Sequence, residues 1–471
     1  MKKIVILLGI LILAISFYIL ARNDKLLPPK ALAKEKTYFS LSDALKEPEG
    51  VYKLNLIEKE LSDFPLEITK LTRLQALGLS NNEIETLPPE IGRLENLQEL
   101  YLYNNQLNEL PVEIGQLKNL KTLNLESNAL GHLPDEITQL KNLEVLKLGG
   151  NQLGRLPDKM GDLSRLQHLS LWLNEIKEIP DDIRRLKKLT TLNLKGNSIK
   201  SVPKAVGELK ILSKLYLDGN SITVLAQELA KLDQLKTLNL GNNQIKDFPI
   251  FIYKLKNLQN LNIEKNKLSR IPREIGRLEQ LIELDLSGNR LKELPSEMRS
   301  LKSLNKLWLQ DNQLSELSNW IGKLARLKIL SLSRNRIEQI TMDIGQLNDL
   351  EKLDLSANRI EVIPESIGQL THLKELFIGN NRLTNVPGEL GGLKGLLVLV
   401  LESNHLVNIP SELGKLSSLH TLNLANNKIK HLPQELYELK ELYYLILKGN
   451  PVHQTEKARI IKGLPGSRVE F

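Results

Sequence analysis

The chain runs to 471 residues with a formal charge of +8, 41% apolar and only 4% aromatic residues, and no cysteine, which excludes disulfides, thiol nucleophiles and thiol-linked lipids. The charge sits at the start: seven basic residues against two acidic in residues 1–36 give +5 and leave +3 for everything after. The bulk of the chain is therefore nearly neutral and shows none of the single-sign basic character of a nucleic-acid binder.

Residues 4–21 are uncharged and almost wholly apolar, and follow Lys2 and Lys3. That is the pattern of an export signal, and a stretch of this length is also just enough to span a bilayer. Ala31-Leu32-Ala33 resembles a cleavage site but lies far downstream, while Ala21 is a closer and weaker one. Cleaved signal and retained anchor both stay open. The expected location is secreted, periplasmic or membrane-anchored with the remainder outside the cytoplasm, and membrane contact is expected only through residues 4–21. Residues 1–36 read as leader plus linker. Residues 37–50 read as an N-terminal cap, in which Ser40 or Ser42 caps a short helix that Pro48 ends.

From residue 51 to 450 one pattern recurs. Asn82, Asn105, Asn128, Asn151, Asn174, Asn197, Asn220, Asn243, Asn266, Asn289, Asn312, Asn335, Asn358, Asn381, Asn404, Asn427 and Asn450 stand 23 residues apart without a slip. Self-similarity on such a period marks a stack of identical supersecondary units. Around Asn105, Leu97, Leu100 and Leu102 occupy addresses −8, −5 and −3, Leu107 occupies +2, Leu110 +5, Pro111 +6, Glu113 +8, Ile114 +9 and Leu117 +12. Residues 51–72 follow the same pattern with Lys59 in place of the asparagine, a degenerate first coil, so the array has about 18 coils.

The alternation of Leu at −5 and −3 with outward residues at −6, −4 and −2 is the period of a short strand, and strands of successive coils would stack in parallel about 4.8 Å apart. Pro at +6 suits the first position of a short helical turn, and Glu at +8 its positive end. The turn side is bulkier than the strand side, which curves the stack and makes the strands its concave lining. A buried asparagine amide at the end of each strand can satisfy backbone groups that the bend leaves unpaired. The proline is replaced by Ala226, Ser318 and Thr341, where looser turns are expected, and Trp320 stands at the usual Glu address, either filling a local gap or offering a convex contact. Residues 451–471 break the repeat and read as the C-terminal cap: an amphipathic helix over Glu456–Lys462 with Ile460 and Ile461 inward, then Leu464, Val469 and Phe471 closing the stack.

No G-x-x-x-x-G-K-[ST] loop, G-x-S-x-G elbow or H-E-x-x-H pair occurs, and the seven histidines fall at different addresses. No enzyme, cofactor or metal is expected. The outward strand columns carry seven lysines against nine acids, a mixed surface that excludes a nucleic-acid groove. What varies at these addresses is the aromatic content. Tyr101, Tyr103 and Trp172 fall within three coils of each other, with Tyr216 two coils on and His168 near Trp172; Trp308 and Phe377 form a second group. Aromatic rings bury much area at little entropic cost and are favoured at interfaces. These seven residues are the candidate ligand-binding positions. The expected activity is non-enzymatic recognition of a protein ligand by an exported monomer. The Asn and Thr of columns −4 and −6 leave a glycan binder open as an alternative, and the apolar start leaves a membrane-tethered intracellular signalling scaffold.

The L-P-x-E-I-G-x-L-x-x-L-x-x-L-x-L-x-x-N pattern resembles bacterial leucine-rich repeat proteins, found in many copies in spirochaetes and Bacteroidetes, over residues 37–471. Tyr38 to Pro48 followed by Val51 to Leu56 is similar to that group's beginning, and Gly449-Asn450-Pro451 through Leu464-Pro465 to Phe471 to its closing cap, with Ser467 where a cysteine is common. The repeat is also similar to the Ras-group and Scribble-type repeats. The resemblance implies an α/β leucine-rich repeat solenoid, a right-handed arc with parallel strands inside and short helical or 3-10 turns outside, and a protein-binding role.

Overall fold

The computed structural model describes residues 26–471, so the apolar stretch at 4–21 and Ala21 lie outside the described residues. The described chain forms two compact units, one running to Ile199 and taking in Pro203–Leu212, the other made of Lys200–Val202 and Ser213–Phe471. Both are open stacks of the leucine-rich repeat type.

In the first unit the strands run from Thr37–Tyr38 and Lys53–Asn55 to Thr191–Asn193, each three-residue strand pairing in parallel with the next coil in strict register, Leu54 with Leu77 and Leu77 with Leu100. The second unit repeats this from Lys214–Tyr216 to Tyr444–Ile446 and ends on Arg468–Glu470. The register follows from burial. The middle residue of every repeat strand is a buried leucine, and a slip of one residue would turn that leucine outward.

The strand ends at a backbone turn that every coil shares. The residue before each of the periodic asparagines has positive φ, from Asn81 and Asn104 to Asn426 and Gly449. This left-handed kink suits Asn and Gly and swings the next side chain inward. Asn105 shows the result: its Nδ2 donates to the carbonyls of Leu102 at 3.1 Å and Leu79 at 2.9 Å, and its Oδ1 accepts the Ile84 N–H at 3.1 Å. One amide thus joins two coils: it gives the Ile84 N–H its acceptor, and each carbonyl is shared with the asparagine of an adjoining coil, Leu79 O with Asn82 and Leu102 O with Asn128. In the degenerate first coil, Lys59 gives only its N–H to Asn82 Oδ1.

On the opposite side lie short 3-10 turns such as Val112–Gln116. The proline does not occupy their first position. Pro111 stands one residue earlier, extended at φ −70 and ψ 151, and its carbonyl accepts the Ile114 N–H. The ring-locked φ of proline fits this extended site as well as it fits a helix, and any residue that reaches β space can replace it. That is why the expected loosening at Ala226, Ser318 and Thr341 does not occur. Each of them is extended in the same way and precedes a full five-residue turn. The shortened turn, Met160–Asp162, is in a coil that has its proline, Pro157. Gly115 shows how closely the turns pack, because a Cβ there would lie 2.6 Å from the Glu136 carbonyl oxygen of the next coil. Trp320 is buried at 6% exposure, with Nε1 unbonded, and so offers no convex contact surface.

At the start, the helix Leu41–Ala44 is capped by Ser40, whose Oγ accepts the Asp43 N–H. Residues ahead of it also pack on the repeats: Leu32 is buried, and the Leu27 backbone is held by the side chains of Gln75 and Gln98. At the other end the helix spans Gln454–Gly463. Ile460 is fully buried but Ile461 is 57% exposed, because neighbouring helical residues point about 100° apart and only one can face inward. Buried Glu456 completes the seal by accepting the Leu432 N–H at 3.1 Å.

Candidate functional site

The strand face of the first unit carries a column of side chains two residues ahead of each periodic asparagine: Tyr103, Glu126, Gly149 and Trp172. Backbone hydrogen bonds step along this column, Asn104 N–H to Glu126 O, Ser127 N–H to Gly149 O and Gly150 N–H to Trp172 O. The Trp172 indole reaches back across one coil. Its Nε1 donates to Glu126 Oε1 at 2.8 Å, and Ser170 Oγ donates to the same oxygen at 2.9 Å. Gly149 permits this, since a Cβ there would overlap the indole Nε1, Cε2 and Cδ1. The half-buried indole is thereby held in one orientation. Tyr103, one strand from Glu126, is 40% exposed.

Tyr101 lies beside them but is half-buried, with its hydroxyl on Glu99 Oε2 at 3.1 Å; burial first, then the Glu99 charge, pushes the phenol up to about 12. His168 opens the strand His168–Ser170 and is exposed. Four residues, roughly 13 Å at the strand rise, separate it from Trp172, and no contact joins the two. Tyr216 belongs to the second unit, half-buried and in register with Asn239. Trp308 and Phe377, also in the second unit, are three strands apart, roughly 14 Å, and each is covered by a lysine: Lys306 Nζ lies 5.9 Å from the Trp308 ring and Lys352 Nζ 5.0 Å from Phe377. They do not form one patch.

Three residues escaped the sequence reading. In the sequence Glu126 is one of the nine acids of the outward columns, although its place two coils ahead of Trp172 with a glycine between them is a readable signal. Leu173 follows the tryptophan in the left-handed turn position at φ 48 and is 54% exposed. Every coil has this left-handed turn, as at Lys265 and Arg334, but at Leu173 it carries an exposed apolar side chain beside the indole. Gly149 had no signal until the indole was placed.

The asparagines four residues ahead of the periodic ones have a different use. Asn55, Asn124, Asn193, Asn239, Asn262 and Asn423 each accept the N–H two residues on, through Oδ1. These Asx turns spend on the local backbone the acceptors that a sugar-binding column would need. An open recess on the turn side, lined by Met342, Glu365, Gly391 and Lys415, holds no aromatic side chain. Among the described residues no group of acids and histidines could hold a metal ion, and no helix is long and apolar enough to cross a membrane.

The family model for a leucine-rich repeat region matches residues 100–175, 158–226, 223–319 and 309–404, and further leucine-rich repeat models match 73–94 and 394–452. The chain belongs to the leucine-rich repeat family. Among solved structures it is similar to a leucine-rich repeat protein of Leptospira interrogans, at 38% identity and a TM-score of 0.71, covering 93% of this chain and 100% of that one. It is also similar to a plant peptide hormone receptor, RGFR1, solved in complex with RGF2, at 30% identity and a TM-score of 0.67 over 88% of this chain and 77% of that one. The ectodomain of the Arabidopsis receptor kinase HAESA, solved with a peptide hormone ligand, is 28% identical with a TM-score of 0.63, covering 88% and 76%. No match is found among the curated proteins. The leucine-rich repeat array is thus that of a protein-interaction module.

Proposed function

We propose that the chain is an exported, non-enzymatic, monomeric binding protein that captures a protein ligand on its strand face, with Tyr103, Trp172 and Leu173 of the first unit as the contact centre and Tyr101 as its half-buried flank. The observation that carries this reading is the half-buried indole held by Glu126 beside an exposed tyrosine and an exposed leucine. Interfaces concentrate their energy in such rigid aromatic anchors, and immobilising an anchor before binding lowers the entropic cost of association. The relatives solved with peptides support a protein or peptide partner, and the apolar run at residues 4–21 supports export.

The test is ligand capture by the intact chain and by Tyr103→Ala and Trp172→Ala. Capture is expected to fall in both variants with circular dichroism unchanged. Equal capture by all three proteins refutes the siting. Export is checked separately, by protease accessibility on intact cells: repeats that stay protected would favour a scaffold on the inner face.

A further inference from the structure

Glu126 is a half-buried carboxylate in the middle of the aromatic column. Its two hydrogen-bond partners, Trp172 Nε1 and Ser170 Oγ, are neutral donors and both reach Oε1. Among the described residues no Lys, Arg or His stands within ion-pair distance of it, and Oε2 accepts nothing. The basic side chain nearest by address, Lys147 on the adjoining strand, does not reach it. Other outward acids are occupied differently: in the second unit Glu283 is paired with Lys306 at 2.8 Å and Glu375 with Lys352 at 2.7 Å, Glu402 accepts from Asn423 Nδ2, and none of these three is hydrogen-bonded to an indole.

The flanks of Glu126 are aromatic on both sides. Tyr103 stands one strand away, about 4.8 Å along the stack. On the other side the indole of Trp172 extends over Gly149 to within 2.8 Å of the carboxylate. A negative charge bordered by two rings, with a glycine for a floor, has the attributes of a receptor for an organic cation. The ring faces attract it through their quadrupoles, and the carboxylate provides the counter-charge in a place already shielded from solvent. A long aliphatic stem ending in a charge would lie along the outer face of the indole and bring its head to Oε2.

Resting on the binding reading above, we propose that this trough takes one lysine or arginine side chain of the protein partner, with Glu126 Oε2 as its counter-ion and Tyr103 and Trp172 as its walls. Glu126 Oε1 stays committed to the indole and the serine, so one carboxylate both fixes the wall and receives the cation. Acidic or purely apolar partners gain nothing from Oε2 and would leave the carboxylate desolvated without a partner, which selects against them.

The test uses the full chain and a display library of random decapeptides as the probe. Wild type is expected to enrich peptides with Lys or Arg at one defined position. Glu126→Gln keeps an oxygen to accept from Trp172 and Ser170 but removes the charge; it is expected to lose the basic preference and to bind the selected peptides about tenfold more weakly. Tyr103→Leu keeps apolar area but removes one ring, and is expected to weaken basic peptides more than their norleucine analogues. Basic enrichment that persists in Glu126→Gln overturns the proposal. Peptides captured through Tyr103 with no basic preference overturn the cation assignment and leave the binding reading standing. An empty selection also overturns the proposal, and only unchanged ligand capture by Tyr103→Ala and Trp172→Ala would remove the broader reading.

Discussion

The strand faces of the two units are built from the same addresses and differ in what they leave uncommitted. In the second unit two outward lysines pair across neighbouring strands, Lys306 with Glu283 and Lys352 with Glu375, and the same lysines lie over Trp308 and Phe377. In the first unit a tryptophan is held by a carboxylate that has no cation, next to a 40% exposed tyrosine. A repeat array can therefore satisfy one stretch of its surface internally and hold another in readiness. The skeleton beneath is common to both, so function follows from how the outward side chains are paired.

That comparison can be broken first at the skeleton. Asn151→Ala in the first unit and Asn289→Ala in the second each strip partners from two carbonyls and one N–H. Both are expected to lose on the order of 2–4 kcal/mol in urea denaturation. A large loss in one unit alone would show that the skeleton is not shared. Gly149→Ala differs from the same change at Gly241 and Gly379 of the second unit, where an added Cβ would meet the glutamate side chains of Glu264 and Glu402 at 2.9 Å instead of an indole. Its methyl would displace the indole from Glu126, costing about 1–3 kcal/mol through overpacking and shifting tryptophan emission; an unchanged spectrum would mean the indole is not held there.

Ligand capture sharpens the contrast at the surface. Tyr103→Ala and Trp172→Ala should each weaken binding about tenfold or more, whereas Trp308→Ala and Phe377→Ala should have clearly smaller effects. The reverse ranking would move the contact centre to the second unit. Tyr101 supplies a pH signature. Its folded value, pushed to about 12, exceeds the ordinary 10.0, so the unfolded chain loses this proton first as pH rises. The stability it contributes is complete below pH 10 and is lost towards about 12. Burial raises the phenols of Tyr253 and Tyr437 as well, so Tyr101→Phe should shrink the alkaline loss in a stability-versus-pH curve without abolishing it, and a curve identical to wild type would assign the whole loss to the other two. The smallest effect belongs to the paired columns: Lys352→Ala breaks a half-exposed pair and should cost less than about 1 kcal/mol, diminishing in salt.

Much of the fold was legible because the repeat makes each residue's environment depend on its address. Leucines at −5 and −3 located the three-residue strand of every coil, and the period located its register; the small pair Ser201–Val202 and Val224–Leu225 was not marked by them. The proline was legible as a turn signal but not in its detail, since extended backbone before a 3-10 turn and the first position of a helix impose the same φ on a proline. The pair Ile460 and Ile461 was misjudged because apolarity alone does not choose which of two adjacent helical residues faces inward. At the candidate site, the aromatic residues were readable as exceptions in otherwise polar columns. Their grouping was not. His168 and Trp172 belong to one coil yet are too far apart to meet, while Trp172 and Glu126 are two coils apart and touch.

By itself, then, the sequence determined the stack: its coil length, its strand and turn faces, and which side chains point outward, because those depend on local periodicity and on burial of leucine. Tertiary structure alone decided which outward groups find one another. A long side chain can cross a neighbouring coil whenever a glycine leaves room, and whether Glu126 meets an indole or a lysine depends on rotamers and neighbours that no one-dimensional pattern records.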